Sequence, residues 1–289
     1  MNSMEQVRPT RLPEWLRRPI QTDKSYSETH AALKKNGLHT VCEDAKCPNR
    51  HECWNHGTAT IMILGNICTR DCRFCSIATG KPTGLDLEEP LRVAEAVEKM
   101  ALRHVVITSV TRDDLPDGGS DIFARSIEEV KARVPGITVE VLTPDFWGRK
   151  EHLYRVLDAG PIVFNHNIET VKRLQRSIRS GATYERSMNI LRYASEHSDI
   201  KVKSGIMLGL GESTEEVLET IKDLYANGVR LLTIGQYMSP TGDHARTHRY
   251  AEPREFVELE DAAYAIGFDA VASGPLVRSS YRADQMIRT

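Results

Sequence analysis

Three cysteines crowd into one short stretch, Cys68-Thr-Arg-Asp-Cys72-Arg-Phe-Cys75. Three thiolates at this spacing suit an iron-sulfur cubane. A 4Fe-4S cluster has four irons, so three protein ligands leave one iron open to chelate a small molecule through nitrogen and oxygen. Structural zinc prefers four ligands in two close pairs, and no such pair of pairs exists here. A second group, Cys42, Cys47 and Cys53, lies upstream. It also has three thiolates. A zinc site completed by His51 or His56, and a cluster completed by a distant hydroxyl or carboxylate, are both compatible with that spacing.

All six cysteines fall between Cys42 and Cys75, and none follows. Disulfide frameworks belong to small secreted chains, whereas clustered cysteines in a large cytosolic chain serve metal or catalysis. The 289 residues carry 38 Lys+Arg against 40 Asp+Glu, a net charge of -2. That balance gives no electrostatic footprint for nucleic acid, while a local basic patch can still meet an acidic protein. No apolar run reaches the roughly 20 residues of a membrane span, and the first 20 residues contain acids and prolines where a signal peptide is apolar. A cytoplasmic chain without membrane partners is expected.

The elements that must position the cysteines alternate strand and helix. Runs rich in Val, Ile and Thr at 58–64, 104–109, 137–143, 161–167, 202–208 and 229–236 read as six strands. Between them, Val93, Val97, Met100 and Ala101, then Phe123, Ile127, Val130 and Val134, fall on single helix faces. Ser213 and Glu216 form a capping-box pattern before Val217, Ile221 and Leu224, and Gly228 is placed to end that helix. Alternation of this kind predicts an α/β fold with a parallel sheet curled into a partial (β/α)6 TIM-type barrel, a doubly wound sheet being the alternative. Chemistry in such barrels gathers at the C-terminal strand ends, and Cys68 directly follows the first strand. The expected organisation is an N-terminal extension (1–57) with the first cysteine group, a barrel (58–250), and a C-terminal helix and segment (251–289) covering the site.

The Cys68, Cys72, Cys75 segment, with Phe74 before its last cysteine, resembles the radical S-adenosylmethionine superfamily. The resemblance implies that the open iron binds the amino and carboxylate groups of S-adenosylmethionine, which is cleaved to a 5'-deoxyadenosyl radical. Such a radical attacks an unactivated C–H bond, so no acid-base triad is required. The run from Gly205 to Glu212, which includes Met207, is similar to the strand beside the adenine in these barrels, where missing side chains admit a close approach. It is no Rossmann fingerprint, because a strand carries its first glycine.

The two cysteine groups together, with Arg278-Ser279-Ser280-Tyr281, resemble the lipoyl synthase family. Further segments similar to that family are Pro13–Arg17, Thr108–Asp114 with Ser109 within it, Asn165–Thr170, and Thr233–Tyr237. The resemblance implies two 4Fe-4S clusters. One is held by Cys68, Cys72 and Cys75; the other, an auxiliary cluster and sulfur source, is held by Cys42, Cys47 and Cys53 with Ser279 as fourth ligand. The implied reaction inserts two sulfurs, at C6 and C8 of an octanoyl chain on a carrier-protein lysine. The implied partners are an octanoylated lipoyl-carrier protein, an electron donor such as flavodoxin or ferredoxin, and a cluster-repair carrier; a monomer is expected. Without the family pattern, Ser279 reads as an ordinary turn or cap serine.

Asn165 and Glu169 lie just after the fourth strand, where polar groups can hold substrate or cofactor; a helix cap and a solvated acid are the plainer readings. Arg179 suits a methionine carboxylate or an acidic carrier surface. The 244–250 segment departs from the apolar Leu-Pro-Val stretch of the family, which bears on carrier recognition or loop packing. His244 and His248 are spaced like a helical metal pair, but Pro240 and Gly242 predict a loop. Two rival readings are another sulfur-inserting or methylthiolating radical enzyme and a non-catalytic zinc module. A tRNA-modifying relative would carry a basic accessory domain, and a zinc module would not need six strands of barrel.

Overall fold

The structure, a computed structural model, describes residues 12–17, 39–44, 47, 49–55, 58–197 and 199–287. Its strands are β1 (His39–Thr40), β2 (Thr58–Ile63), β3 (Ile67–Cys68), β4 (Ala78–Thr79), β5 (His104–Ser109), β6 (Thr138–Leu142), β7 (Val163–Asn165), β8 (Lys201–Leu208), β9 (Leu231–Gln236) and β10 (Ala270–Gly274). β3 and β4 pair with each other. The other eight form one sheet in the order β1-β2-β5-β6-β7-β8-β9-β10. Every neighbour from β2 to β10 is parallel, and β1 alone runs antiparallel. Strands that follow one another in both chain and sheet need a helical return each time, which builds an open barrel. All six expected strands are present, and β10 adds a seventh parallel strand.

Alternation along the strands separates two environments. Ile61, Ile107, Val141, Phe164, Ile206 and Ile234 share one core with the return helices, among them Glu89–Lys99, Ser120–Arg133 and Thr214–Ala226. Val93, Val97, Phe123, Ile127 and Val130 are completely buried on those helices. The Thr214–Ala226 helix opens on the expected capping box: Ser213 Oγ accepts from Glu216 N at 3.3 Å, and Glu216 accepts from Ser213 N at 2.9 Å. Gly228 follows with φ +88°, a left-handed turn that an L side chain resists. No helix among the described residues is long and apolar enough to cross a membrane.

The inner positions form a floor. Lys203 on β8 donates to Glu140 on β6 at 2.9 Å, and Asn165 Nδ2 donates to the same carboxylate at 3.3 Å, all three fully buried. Val163, Leu231, Ala270 and Met286 form a separate apolar cluster at the strand starts. Met286 reaches it because the chain turns back after β10. Asn49 Nδ2 donates to the Leu276 carbonyl at 2.5 Å, Tyr281 donates to Glu52 at 2.8 Å, and Arg282 donates to the same Glu52 oxygen at 2.8 Å. The segment carrying Ser279 is thus tied to the helix Arg50–Asn55, which carries Cys53.

Candidate functional site

A cavity of about 370 Å³, within the usual size of a ligand pocket, opens at the C-terminal ends of the strands. Cys68, Cys72, Phe74 and Cys75 line it, as do Ser109, Glu169, Arg179 and Met207. Ser279 and Arg278 also reach it. The cavity therefore gathers residues from sequence positions over 200 apart, as the strand-end argument required.

The cysteine loop is held by its own backbone and by charge. Cys68 Sγ accepts from Arg70 N at 3.4 Å and from Thr111 N at 3.3 Å, contacts that fix its position. Arg70 binds Asp113 through two bonds of 2.7 and 2.9 Å and Asp145 through a third of 2.7 Å. Asp145 is fully buried; burial pushes its carboxyl up, but Arg70, His166 and Arg186 outweigh that and hold it at about 2. His244 ties the same loop from the far side. Its Nε2 must donate to the Cys75 carbonyl, 2.9 Å away, so its Nδ1 accepts from Thr241 Oγ1 at 2.8 Å.

Glu169 and Arg179 lie near Cys72 with opposed charges. Burial raises the Glu169 carboxyl and lowers the Arg179 guanidinium, each partly offset by the other. Arg179 Nη1 donates to Gln175 at 3.2 Å and Ser187 at 2.9 Å, which leaves its other guanidinium nitrogens without a hydrogen-bond partner among the described residues. Glu169 stands at φ +66°, a strained conformation for a non-glycine and one that concentrates at functional sites.

Several features fit a polar ligand and a cluster. Ser109 Oγ, Thr143 Oγ1 and Asn167 Oδ1 are buried, belong to residues that line the cavity and have no hydrogen-bond partner among the described residues. A Cβ at Gly205 would come within 2.6 Å of Thr233 Oγ1 and 2.9 Å of Asn167 Oδ1, so this strand keeps its surface clear only as glycine. Burial raises the Cys72 thiol and pushes the Cys75 thiol up to about 12, so these groups ionise only against a strong positive charge such as iron. Among the described residues, no three His, Cys, Asp or Glu side chains converge on a single ion.

The second triad sits behind Ser279. Burial pushes Cys42 to about 11 and Cys53 to about 12, and in each case neighbouring cysteines of the triad raise it further. Arg278, one residue before Ser279, is half-buried and feels the charge of Cys47. Of these three cysteines none lines the first cavity; Cys53 lines a second one.

Asn165, by contrast, does not line the first cavity and bonds Glu140 in the floor. The next two residues, His166 and Asn167, both line it. Sequence reading also missed Thr143 and Asp145. Their signal was position alone, directly after β6, where loops of this fold supply ligands.

The sequence model of the radical SAM superfamily matches residues 62–224, and the model of the N-terminal domain of lipoyl synthase matches residues 2–47. Solved structures agree on the fold: methylornithine synthase at TM-score 0.55 and 15% identity, covering 92% of this chain and 84% of that one, and Streptococcus suis SuiB bound to S-adenosylmethionine at TM-score 0.60 and 15% identity, covering 85% and 53%. Fold and cysteine loop together define a radical S-adenosylmethionine enzyme. Relatives narrow this further. Lipoyl synthase of Rubrobacter xylanophilus is 53% identical over 94% of this chain and 85% of its own length, and that of Bacillus subtilis is 50% identical over 96% and 94%. The chain belongs to the lipoyl synthase family.

Proposed function

We propose that the two cysteine triads hold two clusters with different tasks, and that together they insert sulfur at C6 and C8 of an octanoyl chain on a carrier-protein lysine. The observation that carries this reading is Ser279, which lines the cavity on whose wall lie Cys68, Cys72 and Cys75 while its segment is tied to the helix of Cys53. When bound, a 4Fe-4S cluster at the first triad supplies the electron that cleaves S-adenosylmethionine, and one at Cys42, Cys47, Cys53 and Ser279 supplies sulfur.

The protein's own share is to hold, orient and exclude. Amide donors from Arg70 and Thr111 hold the Cys68 sulfur in place, and Arg70 fixes the loop against Asp113 and Asp145. The open nitrogens of Arg179 suit the methionine carboxylate, and Glu169 suits its ammonium. Ser109, Thr143 and Asn167 offer unsatisfied polar atoms to the nucleoside or the amide of the substrate. Gly205 lets a flat group lie against β8, and Phe74, Met207 and Tyr237 provide an apolar wall that keeps water from a reactive intermediate. The carrier protein, an electron donor such as flavodoxin or ferredoxin, and a cluster-repair carrier are the partners this chemistry requires.

The direct test is mass spectrometry of an octanoylated carrier peptide after anaerobic turnover with a reductant. Two added sulfurs are expected; an unmodified peptide, or one bearing a methylthio group, would rule the reading out.

A further inference from the structure

Arg179 lines the first cavity, yet only neutral groups hold its guanidinium. Its Nη1 donates to Ser187 Oγ at 2.9 Å and to Gln175 Oε1 at 3.2 Å, with the Ile168 carbonyl a more distant acceptor at 3.4 Å. No carboxylate bonds it among the described residues, and Glu169 acts on its charge only through space. Ser187 is held in turn by His166, whose ring stands 2.9 Å from both the Thr143 carbonyl and the Ser187 hydroxyl; Arg179, Ser187 and His166 are all buried. A carbonyl only accepts, so His166 Nδ1 carries the proton. Burial and the Arg179 charge hold the ring's pKa at about 4, so it is neutral and its Nε2 is a bare acceptor. The Ser187 hydroxyl then gives its one hydrogen to Nε2, and only its lone pairs face Arg179. Gln175 obeys the same logic: its Nε2 donates to the Ile168 and Thr170 carbonyls at 2.9 and 2.6 Å, which turns its oxygen to the guanidinium. The chain is rooted in the barrel, because His166 N donates to the Lys203 carbonyl of β8 at 3.1 Å and Ser204 Oγ donates to the His166 carbonyl at 2.9 Å.

We propose that His166 and Ser187 are positioning residues for S-adenosylmethionine: their one-way hydrogen bonds fix Arg179 Nη1 and so aim the rest of the guanidinium at the methionine carboxylate. The inference rests on the assignment of Arg179 to that carboxylate given above. Neutral acceptors orient a guanidinium without cancelling its charge, whereas a carboxylate in their place would claim it. The charge is thereby kept for a ligand, in a buried setting where a hydrogen bond is electrostatically stronger than in water. A hydroxyl free to turn could point its hydrogen at Arg179; His166 removes that choice by taking it.

The test measures, by calorimetry on the anaerobically reconstituted holoenzyme, binding of S-adenosylmethionine and of 5'-deoxyadenosine, which has no carboxylate. Ser187→Ala should weaken S-adenosylmethionine about tenfold, the scale of one hydrogen bond to a charged group, and leave 5'-deoxyadenosine unchanged. His166→Asn can still donate to the Thr143 carbonyl but has no atom in place of Nε2. It should show the same selective loss at smaller size, and it carries the test if Ser187→Ala does not fold. In an Arg179→Ala background neither substitution should weaken S-adenosylmethionine further, since both act through that side chain. Additive losses in that background overturn the proposal, as do equal losses for the two ligands or wild-type binding of S-adenosylmethionine by both variants. Wild-type binding of S-adenosylmethionine by Arg179→Ala itself would instead overturn the assignment of Arg179 beneath it.

Discussion

Arg70 donates to Asp145 at 2.7 Å, joining the cysteine loop to the end of β6 across 75 positions of sequence. Both side chains are almost wholly buried. Asp145→Asn leaves Arg70 with Asp113 as its remaining anionic partner, and removing one member of a buried pair costs about 3 kcal/mol or more. Urea unfolding should show that loss. The variant should also shed iron from the first triad faster, because its loop is less firmly held.

The same carboxylate sets an acid limit. Its folded pKa of about 2 lies below the ordinary 3.8, so the protonated form is the one folding disfavours. The associated stability is fully present above about pH 4 and disappears as pH falls toward 2, amounting to about 2 kcal/mol. Unfolding free energy measured across that window should fall more steeply for wild type than for Asp145→Asn.

The floor of the barrel makes a separate test of charge burial. Lys203→Met strands Glu140 without its cation and should destabilise by about 3 to 5 kcal/mol, whereas Lys203→Met combined with Glu140→Leu should recover most of that. Denaturant midpoints of the two single variants and the pair measure the coupling.

Cysteine substitutions should divide the two tasks. Cys72→Ala should abolish cleavage of S-adenosylmethionine, while Cys47→Ala should keep cleavage, eliminate sulfur insertion and lower iron content by about half. Retained lipoyl product in Cys47→Ala would contradict the donor assignment.

Gly205→Ala places a methyl group against Thr233 and Asn167 at the cavity wall. Overpacking of about 1 to 3 kcal/mol is expected there, read as weaker binding of S-adenosylmethionine by calorimetry, with the fold retained by circular dichroism.

The barrel was legible because its strands are short runs rich in Val, Ile and Thr and its helices carry apolar faces. β10 was not, since Ala270-Val-Ala-Ser-Gly274 has a single β-branched residue and three of its five positions are half-exposed. Its place comes from pairing with β9. The proposal of a radical-cluster triad starts from spacing. The proposed role of Ser279 comes only through resemblance, because a serine between Arg278 and Ser280 has no local signal and its neighbours bind residues more than 200 positions away. Asn165 illustrates a finer limit: strand parity identifies an inward side chain, but not whether it stops at the floor beside Glu140 or rises into the cavity like Asn167.

The ties from Asn49 to Leu276 and from Glu52 to Tyr281 span 227 and 229 positions. Order of synthesis then matters. On the ligand set proposed above, a growing polypeptide displays its early thiols long before the Ser279 hydroxyl has left the ribosome, and closing so long a loop awaits the intervening barrel. That reading withholds sulfur-donating capacity from unfinished chains, and acquiring it reports that both distant stretches have met.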